Sequence, residues 1–123
     1  MSVPIMKQGG VLIASVQSEL SDTDLIQLRD DLLQRVGTLR THGVVIDVTA
    51  LDVIDSFAAR VLSNIAQMVR LRGATTVIAG IQADVAFSMI QLGLALQGVT
   101  TVLDLEEALS VLAEAGESTD GSS

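Results

Sequence analysis

Residues 43–57 read Gly-Val-Val-Ile-Asp-Val-Thr-Ala-Leu-Asp-Val-Ile-Asp-Ser-Phe. From Val44 to Val48 the run is apolar except for Asp47, which suggests a strand buried on both faces. The chain then passes through Thr49 to Ile54, and Phe57, Val61, Ile65 and Met68 recur at helical spacing. Asp55-Ser56-Phe57 stands where strand gives way to helix. A serine there has its hydroxyl beside the unpaired N–H groups of a helix N-terminus. Two compatible uses are open: a helix cap, or a kinase acceptor whose phosphate gains those donors and the helix dipole.

Upstream, Val3–Met6 and Val11–Val16 read as short strands joined by Gln8-Gly9-Gly10. Ser21-Asp22-Thr23-Asp24 starts a helix with a hydroxyl cap and first-turn acids, and Leu25, Leu28, Leu32, Val36 and Leu39 form its apolar stripe. Downstream, the helix from Ser56 runs to about Arg72 and stops before Gly73. Thr75–Ala79 is the next strand, Ala83–Leu96 a third helix, Val99–Leu103 the last strand and Asp104–Ala115 the last helix. Strands alternating with helices imply parallel pairing with right-handed crossovers, and the first hairpin makes the sheet mixed. The expectation is a single α/β domain over residues 1–115, followed by a polar tail, 116–123, expected to be disordered. In such sheets function gathers at strand carboxyl ends, where Asp52 to Ser56 falls.

Composition narrows the function. The chain has 123 residues, 49% of them apolar, and Phe57 and Phe87 are its only aromatics, so the core is aliphatic. There is no cysteine, which removes disulfides, thiolate metal sites and cysteine nucleophiles. A net charge of −8, with Lys7 the sole lysine, argues against nucleic acid and against an anionic membrane surface. No secretory signal is visible, and a cytoplasmic location is expected. Val85–Leu103 carries no charge, but its glycines, glutamines and threonines mark a buried helix plus a strand rather than a membrane span.

Enzyme chemistry finds little footing. His42 precedes the Val44 strand and Ser56 follows it, so a triad would need to join opposite ends of the sheet; His42 reads as a solvated turn residue. One histidine without cysteine does not build a zinc site. No glycine-rich phosphate loop is present. Met68 and Met89 at helical spacing read as core or interface. Asp47, Asp52 and Asp55 could converge on Mg²⁺ at the strand end, making the chain a receiver-like phosphoacceptor at Asp47. Receivers resemble one another in an acidic pair after the first strand and a lysine after the fifth. Here Gln17-Ser18-Glu19 follows the second strand, and no lysine occurs after Lys7.

The residues from Gly43 to Phe57, with Leu71-Arg-Gly-Ala74, Gly80-Ile-Gln82 and Leu92-Gly-Leu-Ala-Leu96, resemble STAS domains, the anti-sigma-factor antagonists, and within them the RsbS type of the bacterial stressosome. The resemblance covers nearly all of the chain except the polar tail. It departs at Ala83, where family members often carry proline after Gly-Ile-Gln. It implies a mixed sheet flanked by helices, in agreement with the reading of the residues, from which no enzymatic activity and no cofactor are expected. It implies that Ser56 is phosphorylated by an RsbT-type serine kinase, with Asp52, Asp55 and Phe57 as the docking neighbourhood, and that an RsbX-type phosphatase resets it. It further implies assembly with RsbR-type co-antagonists into a large homo- and hetero-oligomeric complex that holds the kinase captive. Those co-antagonists carry an N-terminal sensor domain; here the STAS-like region starts almost at Met1, so this chain is expected not to be the sensor. Ser88 lies near a second phosphorylatable position of the co-antagonists.

Overall fold

β-Branched residues dominate the strands, apolar residues at spacings of three and four mark the helices, and the elements follow that division. The computed structural model describes residues 3–17, 20–38, 40–91 and 99–121. In chain order the elements are β1 (Ile5–Gln8), β2 (Val11–Ser15), α1 (Asp22–Thr38), β3 (Gly43–Asp47), α2 (Ser56–Leu71), β4 (Thr75–Ala79), α3 (Ala83–Gln91), β5 (Thr100–Val102) and α4 (Leu105–Gly121). They form a five-stranded sheet in the order β1-β2-β3-β4-β5. Only β1 runs antiparallel to its neighbour. This is the mixed, mostly parallel α/β architecture expected.

The two faces of the sheet bury different sets. Leu12, Ala14, Val44, Ile46 and Ile78 face α1, α2 and α3, and join Leu28, Leu32, Leu62, Ile65, Val85 and Met89 in the main core. Val11, Ile13, Val45, Val77, Ala79 and Val102 point the other way and pack with Ala108 and Leu112 of α4. Strand β3 is therefore buried on both sides, Val44, Val45 and Ile46 all being fully inaccessible, as its unbroken apolar run requires. Met89 is buried and Met68 packs partly against the main core, in keeping with their helical spacing.

Several boundaries shift. The first strand is Ile5–Gln8 rather than Val3–Met6, because the hairpin pairs Gln8 with Val11 and leaves only Gly9 and Gly10 in the turn. The last strand shortens to Thr100–Val102, the span that pairs with β4. The third helix is described to Gln91, and its expected end at Leu96 lies outside the described residues. The last helix, expected to stop at Ala115, is described as far as Gly121. A helix already anchored by Ala108 and Leu112 adds turns at little cost, and no proline interrupts residues 116–121. His42 is more than a solvated turn residue, since its Nε2–H donates to the Leu112 carbonyl at 3.2 Å and ties the start of β3 to α4. Among the described residues no helix is long and apolar enough to cross a membrane.

Helix α2, which carries the candidate serine, is fixed at both ends. Its C-terminus closes in a Schellman arrangement, with Gly73 N–H donating to the Arg70 carbonyl and Ala74 N–H to that of Val69. Gly73 takes φ +87°, a backbone that glycine adopts without penalty. Seven apolar residues from Ala58 to Val69 are buried along its inner face.

Candidate functional site

The segment from Asp47 to Ser56 leaves the carboxyl end of β3 and is pinned from two sides. The backbone N–H and hydroxyl of Thr49 both donate to Asp47 Oδ1, at 3.0 and 2.6 Å, closing a tight local turn. From the end of β4, Gln82 Nε2 donates to the Thr49 carbonyl at 2.9 Å. Gly80, at φ +85°, lies so close that a Cβ on it would overlap the Thr49 hydroxyl. Two strand ends thus hold the base of the loop. Beyond it Ile54 is buried, while Val53 is 73% exposed, so the loop returns to the core immediately before the helix.

The helix cap is Asp55, not Ser56. Asp55 has extended backbone, and its Oδ1 accepts from Ala58 N–H at 2.8 Å. Both residue types cap well, but only the residue with non-helical backbone can reach back to the third N–H, and that residue is Asp55. Ser56 is the first helical residue and is exposed, and its hydroxyl has no hydrogen-bond partner among the described residues. The acceptor role foreseen for Ser56 therefore does not compete with a capping role. Of its expected neighbours, Asp52 and Asp55 are exposed, whereas Phe57 is half-buried against the main core and mainly anchors the helix. Ser88 is exposed in the interior of α3, away from the free N–H groups of that helix's first turn.

The metal reading of Asp47, Asp52 and Asp55 is not supported by their placement. Asp47 spends Oδ1 on Thr49, Asp55 spends Oδ1 on the cap, and among the described residues no group of three acids or histidines is arranged to hold a cation. His42 and Ser56 sit beyond opposite ends of β3, so no triad joins them.

The sequence named Asp52 and Asp55 as neighbours of Ser56 but did not suggest the groove they line. The start of α1 packs against the β3–α2 loop, and between them runs a groove of about 400 Å³. Leu20, Leu25, Leu51, Val53 and Ala58 give it apolar walls, and Asp22, Asp52 and Asp55 line it with carboxylates. Val53 is 73% exposed beside the buried Ile54, and the adjacent Val-Ile pair gave no local signal of which side chain would face out.

Comparison with known proteins agrees with this geometry. Residues 2–108 match the STAS domain model. The RsbT co-antagonist RsbRA of Bacillus subtilis is 31% identical over 88 residues, which are 72% of this chain and 32% of RsbRA. The chain thus spans about a third of the length of that relative. Among solved structures, an RsbS serine-to-glutamate variant from Moorella thermoacetica superposes with a TM-score of 0.82 at 34% identity, over 94% of this chain and 97% of that one. A chain from the molecular architecture of the stressosome, a signal integration and transduction hub, gives 0.75 at 32% identity, over 92% and 98% respectively. The sheet order and these matches converge: the chain belongs to the STAS domain family and is related to the RsbS and RsbR proteins of the stressosome.

Proposed function

We propose that this chain is a non-enzymatic regulatory and scaffold protein of a bacterial stressosome. It binds and sequesters an RsbT-type serine kinase and releases it when Ser56 is phosphorylated, so controlling a downstream stress or signalling pathway. RsbR-type co-antagonists are its neighbours in a cytoplasmic homo- and hetero-oligomeric complex, and an RsbX-type phosphatase resets it. The observation that carries this reading is the exposed, unengaged hydroxyl of Ser56 one residue inside a helix that Asp55 already caps.

The switch follows from electrostatics and fit. Unmodified Ser56 is neutral, so a partner can pack over it through apolar and hydroxyl contacts. A phosphate adds roughly −1.5 to −2 charges beside Asp52 and Asp55. Under a packed partner its oxygens would lose water without gaining enough donors, which shortens the life of the complex. In the free protein the first-turn N–H groups and the dipole of α2 offset part of that charge. Ser88 remains a second candidate, but a phosphate there lacks such donors.

The test is incubation with an RsbT-type kinase, ATP and Mg²⁺, with the modified residue mapped by mass spectrometry. Phosphate on Ser56, lost in Ser56→Ala, is expected. Modification elsewhere with Ser56 untouched overturns the assignment.

A further inference from the structure

The groove beside Ser56 has features that the serine switch does not use. Its walls combine the side chains of Leu20, Leu25, Leu51 and Val53 with carboxylates from two separate elements. Asp55 is committed to the α2 cap, and the α1 cap is satisfied by Ser21, whose Oγ accepts from Asp24 N–H at 3.1 Å. Asp22 and Asp52 have no such duty: among the described residues neither makes a hydrogen bond or an ion pair. No basic side chain is among the described residues lining the groove. Two uncommitted carboxylates thus flank an apolar trough in which Val53 is 73% exposed.

From this we infer that the groove is a docking slot for an arginine or lysine side chain projecting from the captured kinase. Such a side chain has an aliphatic stem and a cationic head, and the slot offers an apolar wall for the stem and carboxylates for the head. An uncharged apolar partner would leave Asp22 and Asp52 desolvated and unpaired, and an acidic one would be repelled. The inference rests on the kinase-capture reading and divides its work into two parts. Because Asp22 and Asp52 are exposed, their principal effect is on the rate of encounter and its salt dependence. The Ser56 phosphate acts instead on the fit of the packed complex, and hence on its lifetime. Phosphorylated protein therefore still meets the kinase quickly but loses it quickly.

The experiment measures association and dissociation rates of a purified RsbT-type kinase with the full chain, at low and high salt. Four proteins are compared: wild type, Asp22→Asn/Asp52→Asn, the phosphorylated protein and Ser56→Ala. Thermal melting confirms that the near-isosteric double variant is folded. The double variant should associate about tenfold more slowly at low salt, with the difference closing at high salt. Phosphorylation should leave association nearly unchanged and speed dissociation. If the double variant matches wild type in association rate and salt slope while phosphorylation still speeds release, the slot is overturned and the switch stands. If the kinase does not bind unmodified wild type, both fall.

Discussion

Helices α1 and α2 both begin with a serine and an aspartate, and the two entrances use them in opposite ways. At α1, Ser21 is the cap: its Oγ accepts from Asp24 N–H, and Asp24 Oδ2 accepts in return from Ser21 N–H at 3.2 Å. At α2, Asp55 is the cap, and Ser56, one residue on, has nothing to hold. The approach differs as well. The segment before α2 is pinned by Thr49 to Asp47, Gln82 and the backbone of Gly80, so the free hydroxyl is presented from a fixed position. A serine already engaged in capping is spent on stability. One relieved of that task by its neighbour is available for chemistry.

The largest effect should come from breaking the pinned approach. Gly80→Ala places a Cβ against Thr49 on a backbone that disfavours side chains, and should cost about 2–4 kcal/mol. Chemical denaturation reads this directly, and a neutral result would show that the loop base is not fixed as described. Asp55→Ala should cost about 0.5–2 kcal/mol, and Ser21→Ala a similar or smaller amount, since each removes a cap. Asp55→Asn, which keeps a capping oxygen, should recover most of the first loss. Ser56→Ala should shift stability by no more than about 0.5 kcal/mol, because it removes an exposed hydroxyl without partners. A melting loss in Ser56→Ala equal to that in Asp55→Ala would erase the contrast between the two entrances.

Much of this was legible in the sequence, for identifiable reasons. The uninterrupted Val44–Val48 run announced a doubly buried strand, and the spacing of Phe57, Val61, Ile65 and Met68 announced α2. The placement of Asp52 to Ser56 beyond the carboxyl end of β3 followed from strand–helix alternation. The identity of the α2 cap was not legible, because Asp55 and Ser56 are adjacent, both suit the role, and only the backbone angles choose between them. The tie from Gln82 to Thr49 and the bond from His42 to Leu112 span 33 and 70 residues, distances at which local patterns carry no information. The docking groove needed the tertiary meeting of α1 with the β3–α2 loop. The helical backbone past Ala115 escaped because local composition there favours no helix and gives no weight to the anchored turns before it.

The central claim is that Ser56, freed from capping, is the switch for kinase capture. The most direct measurement is the affinity of an RsbT-type kinase for unmodified protein, Ser56-phosphorylated protein and Ser56→Ala, each checked for folding by thermal melting. The account predicts tight binding by unmodified protein and Ser56→Ala and markedly weaker binding once Ser56 carries phosphate, with all three melting alike. Equal affinity for the unmodified and phosphorylated proteins would contradict it.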